Sequence, residues 1–587
     1  MWNASFPMRA SRIEAHLPFA LTAALLSAWA LGAAPAAAQL GAPIPLLPPK
    51  PVAPPESAPP PVPAAPEPPA EGGFTAAPLA PADASWSGTL GADEGAFPQT
   101  MWQGTPRAFV AAALPLLAPT TSPTLHDLAR RLLLSDAASP AGADAPDRPT
   151  LASLRLDRLM ALGEVAGALG VIADLPPDRT VEETDRMRIE LRFAGNDAQG
   201  ACAATTDLIN RYQGVWWQRA LIACQALQGD GAKAALGLSL LREQKAPPDA
   251  VFETLIDALG GHPRKIDKMP DPTPLRLALL AAAKLPLPNE TLAAAAPAAL
   301  LAYATNDTAP AALRLAAAER AAWFGALPPD QLANLYQAIE AKPEEQTAAL
   351  KPGKQPEDPR SRAIVYDVAR SSAPAATRAA AIAALLEEAG KRGAFALTAR
   401  LVAGPIGELR PDETDATFAG AAARALLVAG AFDAARPWID AAHSKELTLL
   451  AGLAQQPAPN SDAALLRDGV TELMEHNGGS APAQADLLLA LLAAFGAQPG
   501  APDWSVMLAP PHEATLPSAA LWVAQEQAAA AKRIGGTVLA SLLIAQAGDR
   551  LSLEPVVLSR AIAGLRAIGR DPDALALALE AAVDAGL

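Results

Sequence analysis

The stretch that decides the fold is WWQRALIACQALQGDGAKAALGLSLL, residues 216–241. Alanine and leucine, the strongest helix formers, fill both of its halves. Gly229 and Asp230 separate the two halves. Because glycine readily adopts the left-handed backbone conformation that ends a helix, the stretch predicts two helices joined by a short turn at Gly229, which is one helical hairpin.

The same pattern occurs twice upstream, in RLMALGEVAGAL (158–169) and ELRFAGNDAQGAC (190–202). The turn glycines Gly163, Gly195 and Gly229 are 32 and 34 residues apart. Five positions after each glycine stands a small residue that lets two helices approach closely: Ala168, Gly200 and Ala234. A period of this length is typical of stacked helical hairpins. The predicted fold class is all-α, a right-handed α-solenoid preceded by a disordered proline-rich segment.

Three segments resemble the tetratricopeptide repeat family. They are QGDGAKA (228–234), AGAFDAARPWIDAA (429–442, with Gly430 and Ala435) and AIGRDPDALALALEAA (567–582, with Gly569 and Ala574). Each has the glycine of an inter-helix turn followed by a small residue. Ile222 stands where the family has a small residue, so the resemblance implies a divergent member of the tetratricopeptide-like α-solenoids.

The whole chain also resembles uncharacterised secreted proteobacterial proteins rich in alanine and proline, some of which are labelled "antifreeze glycopeptide". The resemblance rests on the N-terminal leader, the proline tract, MWQGTPRAF (101–109) and the segment 202–224. Ice binding would need tandem Ala-Ala-Thr units or regularly spaced threonines. AATT (203–206) and AATR (375–378) are isolated, so ice or surface binding is the least favoured function.

The composition favours a helical, acidic protein. Hydrophobic residues make up 51% of the 587-residue chain but aromatic residues only 4%, and the net charge is −15. Alternating runs of β-branched residues, which would indicate strands, are missing. No cluster of lysine and arginine supplies the electrostatic attraction that nucleic acids require. We therefore expect no nucleic-acid partner.

The N-terminus has the pattern of a secretory signal peptide, residues 1–38. Arg9 and Arg12 supply positive charge, residues 17–34 form an apolar core, and small residues favour cleavage between Ala38 and Gln39. An uncleaved membrane anchor is the alternative. Beyond residue 40 no uninterrupted apolar run reaches spanning length. The mature protein is expected in the periplasm or outside the cell, without a stable transmembrane helix.

A proline- and alanine-rich linker is expected over residues 39–98. Fourteen prolines lie within residues 41–70, a composition that favours extended polyproline II at about 3.1 Å per residue. Three roles are open for this linker: an inert spacer, a tether across the envelope, or a ligand for a proline-binding partner. The polar, proline-punctuated segment 342–360 predicts a second linker between two helical domains, 99–341 and 361–587.

Cys202 and Cys224 are the only cysteines, and they lie in helices of consecutive hairpins. Their midpoint is residue 213, beside Gly214, where we expect the turn between the two helices. Antiparallel helices turning there bring positions 202 and 224 to the same height, which suits a disulfide in an exported protein. A catalytic thiol would need a neighbouring base, and no histidine is adjacent in sequence.

Motifs that carry chemistry are absent. The chain has no CxxC pair, HExxH, GxSxG, SxxK or GxxxxGK[ST]. We therefore predict no catalytic residue, no cofactor and no metal. The leading hypothesis is a non-enzymatic periplasmic scaffold or adaptor that binds an envelope protein or peptide. The alternative is an enzyme that acts on peptidoglycan, or a regulator of one, with peptidoglycan as a possible partner.

Overall fold

Helices dominate the computed structural model, which describes residues 84–145, 148–175, 181–351, 355–454, 463–476, 480–497 and 516–587. The predicted signal peptide, its cleavage site at Ala38 and Gln39, and most of the first linker lie outside the described residues. The first nine helices are α1 (Arg107–Ala113), α2 (Pro123–Leu134), α3 (Leu151–Leu162), α4 (Val165–Asp174), α5 (Glu182–Ala194), α6 (Ala198–Leu208), α7 (Val215–Leu227), α8 (Gly231–Glu243) and α9 (Ala250–Leu259).

Two further groups of nine helices follow. The first group is α10 (Pro274–Ala282), α11 (Asn289–Ala294), α12 (Pro297–Ala304), α13 (Ala311–Trp323), α14 (Pro329–Gln337), α15 (Pro343–Ala349), α16 (Pro359–Arg370), α17 (Ala375–Arg392) and α18 (Phe395–Gly407). The second group is α19 (Ala416–Val428), α20 (Phe432–Ala442), α21 (Lys445–Leu453), α22 (Ala463–His476), α23 (Ala481–Ala494), α24 (Ala519–Ala530), α25 (Ile534–Ala545), α26 (Pro555–Ala567) and α27 (Asp571–Asp584).

Other regular elements are short. The described residues include one antiparallel pair of strands, β1 (Gln546–Ala547) and β2 (Arg550–Leu551), in which Gln546 lies opposite Leu551. The 3₁₀ turns are Ala84–Trp86, Ala92–Glu94, Leu114–Leu116 and Pro411–Glu413. The predicted all-α solenoid of stacked hairpins is therefore confirmed as the fold class.

The hairpin turns follow the predicted glycine chemistry with one difference. Four turn glycines have the left-handed backbone: Gly163 (φ +86°), Gly229 (+85°), Gly430 (+76°) and Gly569 (+75°). Gly195 has φ −83°, and Asn196 takes the left-handed conformation instead, at φ +57°. Asparagine tolerates this region better than most residues, so the same turn forms one residue later.

The turns share one hydrogen-bond pattern. The amide that follows the left-handed residue donates to the carbonyl five residues earlier, as from Asp230 to Gln225 (2.8 Å) and from Asp197 to Arg192 (2.8 Å). This is the Schellman arrangement, which satisfies carbonyls at the end of the first helix. The same aspartates then accept from amides of the next helix, so one Asp both completes the turn and caps the following helix.

Gly163 and Gly229 have almost the same φ angle, but changing each of them to alanine should lower the stability by a different amount. A Cβ at Gly229 would meet nothing within 4 Å, whereas one at Gly163 would lie 2.3 Å from Ala326 Cβ. Gly229→Ala should therefore cost about 1–2 kcal/mol, from left-handed strain alone. Gly163→Ala should cost a further 1–3 kcal/mol or so, from overpacking. Urea unfolding of both variants measures the difference; equal losses would contradict the packing between α3 and the α13–α14 connection.

The solenoid does not remain open. Helix α2 packs on α25 and α27, which lie more than 400 positions further along the chain. Arg131 Nη2 donates to Asp573 Oδ1 at 2.5 Å, and the Thr124 amide donates to Glu580 Oε2 at 3.0 Å. Helix α27 also packs on α18, α19, α21, α23 and α26. The last described helix thus lies at the centre of the C-terminal hairpins.

Residues 84–98, the end of the predicted linker, are packed against the helices. Trp86 is fully buried and makes an edge contact with Trp102 at 4.7 Å between ring centroids. The buried guanidinium of Arg155 lies 4.8 Å from the Trp86 ring and donates to the carbonyl oxygens of Ser87 and Leu133, both at 2.6 Å. Arginine thus satisfies backbone oxygens that water cannot reach.

A buried ionic cluster spans the predicted boundary at 342–360. Arg362 of α16 makes two parallel hydrogen bonds to Glu319 of α13, at 2.8 and 2.6 Å, and a third to Glu388 of α17 at 3.0 Å. Tyr336 also donates to Glu319, at 2.6 Å. Helix α15 lies within 342–360. The described residues belong to one compact unit, and the division at this segment stays a prediction.

Candidate functional site

The two cysteines are brought together as the hairpin geometry predicts. Cys202 lies in α6 and Cys224 in α7, and Gly214 precedes the first residue of α7. Their sulfur atoms are 2.08 Å apart, at bonding distance, and their Cα atoms are 5.4 Å apart. Both residues are buried. The pair therefore joins two antiparallel helices and fixes the turn between them, which carries Arg211 and Tyr212.

That turn forms one end of a groove between α4, α5 and the end of α6. The groove has a volume of about 480 Å³. Its apolar lining comes from Leu169 and Ile172 of α4, from Leu175 after α4, and from Leu208 of α6. Such a groove between helices of consecutive hairpins, with an apolar floor, suits a bound segment of extended or helical peptide.

Three arginines line this groove, and together with its apolar floor they define what we call the arginine groove: Arg188, Arg192 and Arg211. Arg188 and Arg192 are four residues apart on α5, so they share a helix face. The side chains of the three arginines are 28%, 36% and 54% exposed, respectively. A guanidinium has five N–H donors, and the ion pairs they make with Asp185 and Asp197 leave donors free for a ligand.

A buried carboxylate holds two of the three arginines, Arg188 and Arg211, in place. The Asp185 side chain is only 2% exposed, and it accepts a hydrogen bond from Tyr212 Oη at 3.0 Å. Its oxygens lie 3.2 Å from Arg188 Nη1 and 3.9 Å from Arg211 Nη1. Burial and the neighbouring Asp185 raise the pKa of Tyr212, so the hydroxyl keeps its proton and donates to Asp185.

Aromatic stacking continues this arrangement towards the disulfide. The Tyr212 ring stacks on Trp217 with 4.9 Å between centroids, and Trp217 Nε1 donates to Glu182 Oε1 at 2.9 Å. Trp217 is fully buried, as expected for packing at a junction between hairpins. The disulfide, the stacked rings and Asp185 therefore fix the position of Arg211 at the rim of the arginine groove.

Comparison with known proteins gives no identity. No protein-family model matches the chain, and neither a curated protein nor a solved structure is significantly similar to it. The helical packing is compatible with a helical-repeat fold. The site must therefore be interpreted from its own chemistry.

Sequence reasoning missed the arginine groove, although part of its signal was readable. Asp185, Arg188 and Arg192 follow one another at positions i, i+3 and i+7 of a predicted helix, so all three lie on one face. Nothing local connects that face to Leu169 or to Arg211. Their proximity depends on how consecutive hairpins stack.

The described residues contain no group of three or more His, Cys, Asp or Glu side chains arranged to hold a metal ion. Within the same part of the chain, none of the helices combines the length and the apolar character that crossing a membrane demands. The largest cavity among those described, about 780 Å³, lies beside α20 and α21. Its charged groups include Arg436 and Asp433, which are exposed and form an ion pair with each other.

Proposed function

We propose that this protein is a non-enzymatic periplasmic scaffold or adaptor, and that the arginine groove binds a protein or peptide partner of the cell envelope. The observation that carries the proposal is the set of three arginines above an apolar floor in a chain of net charge −15. Acidic residues outnumber basic residues in this chain, 61 to 46, so a local concentration of guanidinium groups marks a surface that favours an anionic partner.

The chemistry of the groove selects the partner. Guanidinium groups bind carboxylates through paired, charge-assisted hydrogen bonds. Leu169, Ile172 and Leu208 offer apolar contact beside those donors. The segment that fits is therefore an acidic peptide with apolar side chains, presented by a larger envelope protein. Apolar contacts supply affinity, while the charges fix register and speed association.

Features of the sequence support the proposed periplasmic location and the proposed class of protein, a helical-repeat scaffold. The leader suits an exported protein, and the proline-rich tract suits an extended spacer ahead of its helical part. The hairpin turns with Gly229, Gly430 and Gly569 resemble tetratricopeptide units, which implies a surface used for peptide recognition.

Position-specific photo-cross-linking in cells tests the groove. A photoreactive residue at Ala173, an exposed lining residue of the arginine groove, should capture one reproducible envelope protein through an acidic, partly apolar segment. The matched control is Ala232, an exposed alanine on α8 that lies outside the groove. Capture from Ala232 at the same yield would contradict a groove-specific partner.

Removing one charge should weaken that capture. Arg211→Gln takes away a partly exposed guanidinium, and a charged hydrogen bond contributes roughly 1.5–3 kcal/mol, so the cross-link from Ala173 should fall about tenfold. Arg264→Gln is the matched control, since Arg264 is exposed, pairs with Asp257 and lies after α9. If both variants behave alike, the arginine groove is not the binding surface. Release of soluble fragments from purified peptidoglycan would instead favour an enzyme.

A further inference from the structure

A second cavity lies where the beginning and the end of the described chain meet. It has a volume of about 310 Å³. Its walls come from the loop before α2, the α17–α18 turn, strand β2 and the end of α27. This volume is at the lower end of the range of small-molecule sites, so it suits a molecule the size of a single amino acid. No part of it belongs to the arginine groove.

Two opposite charges line this cavity without pairing with each other. They are Arg550 of β2 and Asp584 at the end of α27. Among the described residues neither side chain forms an ion pair within 4 Å or a side-chain hydrogen bond. A cation and an anion that lie apart in one cavity can bind the negatively and the positively charged group of the same ligand. Lys391, which pairs with Glu387 at 2.7 Å, adds a second cation to the lining.

Glycine keeps the space beside Arg550 open. Gly393 of the α17–α18 turn has φ +74°, and a Cβ there would lie 3.4 Å from Arg550 Nη1. The left-handed backbone disfavours a larger residue at position 393, whereas the contact of a Cβ with Arg550 would be of ordinary van der Waals length. The Arg550 guanidinium therefore lies against bare backbone, with its side chain held at the wall of the cavity.

A buried carboxylate lies one helical turn before Asp584. Glu580 is only 1% exposed; its Oε2 accepts from the Thr124 amide at 3.0 Å, and its Oε1 has no hydrogen-bond partner among the described residues. Asp584 is partly exposed to solvent, although protein atoms surround its carboxyl group. Burial and the charge of Glu580 raise the pKa of Asp584 to about 7, against the opposing effect of Arg550. A cation bound beside Asp584 would favour its ionised form.

Part of the remaining wall is apolar and part of it is polar. Leu397, Leu551 and Val583 are mostly buried residues that line the cavity, and Phe395 lies beside them. An aliphatic side chain placed against these walls would be removed from water, which stabilises binding by roughly 25 cal/mol per Å². The cavity therefore offers a cation, Arg550, an anion, Asp584, and an apolar surface.

We propose that this cavity binds a small zwitterion, namely a free α-amino acid with an apolar side chain. Arg550 takes the α-carboxylate, Asp584 takes the α-ammonium group, and the side chain lies against Leu397, Leu551 and Val583. The proposal concerns a small-molecule ligand and stands independently of the peptide partner proposed above.

Calorimetric titration of the full chain with L-leucine tests the proposal. L-Leucine should bind with a Kd below about 1 mM. N-acetyl-L-leucine, which lacks the ammonium group, and L-leucinamide, which lacks the carboxylate, should each bind at least about tenfold more weakly, because each leaves one charge of the cavity unpaired. No binding of L-leucine at about 1 mM, or equal binding of the capped compounds, overturns the proposal. This comparison uses the unaltered chain.

Variants then locate the binding. Arg550→Gln and Asp584→Asn should each weaken L-leucine binding about tenfold. Arg410→Gln, at an exposed arginine outside the cavity, should leave it unchanged. Thermal unfolding of each variant shows whether it is folded. If both cavity variants are folded and bind L-leucine as tightly as the original chain, the leucine binds elsewhere and the proposed site is wrong.

Discussion

Replacing Arg362 by methionine is expected to lower the free energy of unfolding by about 3–5 kcal/mol. The guanidinium pairs with two buried carboxylates, Glu319 and Glu388, whose side chains are 6% and 11% exposed. It also donates to the carbonyl oxygens of Pro356 and Glu357, at 3.1 and 2.8 Å. The variant removes the cation that the two carboxylates share: Glu388 keeps its ion pair with Arg392 at 3.2 Å, but Glu319 loses its guanidinium partner while it stays buried.

The pKa of Arg362 depends on the same buried contacts. Burial by itself lowers the pKa, but the hydrogen bonds and charges of Glu319 and Glu388 outweigh it and raise the pKa above its ordinary value. The arginine therefore carries its positive charge at neutral pH.

Urea unfolding of Arg362→Met and Arg360→Met measures the effect with a matched control. Arg360 lies two residues earlier and pairs with Glu345 at the surface, where the side chains are 49% and 39% exposed. Exposed pairs contribute about 0–1 kcal/mol, so Arg360→Met should be nearly neutral. Adding Glu319→Gln to Arg362→Met should recover part of the loss, since it removes one unpaired carboxylate. Equal losses at 360 and 362 would contradict the cluster.

Reducing the disulfide is expected to lower the free energy of unfolding by about 3 kcal/mol. Cys202 and Cys224 are 22 residues apart, and a crosslink over a loop of this size restricts the unfolded chain by about that amount. The folded protein also loses the link that fixes the turn with Arg211 and Tyr212. Reduction should therefore loosen one end of the arginine groove as well.

Urea unfolding with and without reductant, on the original chain and on a Cys202→Ala/Cys224→Ala variant, measures this effect. The double variant should be less stable than the oxidised chain and indifferent to reductant. Hydrogen exchange at residues 209–214 should rise in the reduced protein, because opening of this turn no longer strains a crosslink. A midpoint that reductant does not move would contradict a structural role for the disulfide.

Local chemistry explains why so much of the hairpin architecture was predictable. The turns at Gly163 and Gly229 depend on a backbone conformation that glycine favours, so residue type alone locates them. The cysteine pairing followed from the position of one turn between two antiparallel helices. The turn near Gly195 shows the limit of this reasoning, since Asn196 takes the left-handed conformation there. Lys245 does the same after α8, at φ +57°, where no glycine marks the helix end.

Features that depend on distant parts of the chain were not predictable. The arginine groove needs the stacking of α4 on α5, and the second cavity needs the meeting of Arg550 with Asp584 and Gly393. Repeat periodicity describes neighbours along the chain and contains no information about closure between α2 and α27. The burial of Trp86 could not be predicted for another reason: the alanines and prolines around it have the composition of a linker.

The packing of α2 against α25 and α27 has a consequence for the time course of folding. An open solenoid acquires its structure progressively, since each hairpin needs only its neighbour. Here α2 packs on its neighbours α3 and α4, but the part of its surface that contacts α25 and α27 stays uncovered until residues 534–584 emerge, which is the arrangement of a chain with high contact order. A nascent chain therefore exposes this part of the α2 surface until α25 and α27 have been synthesised.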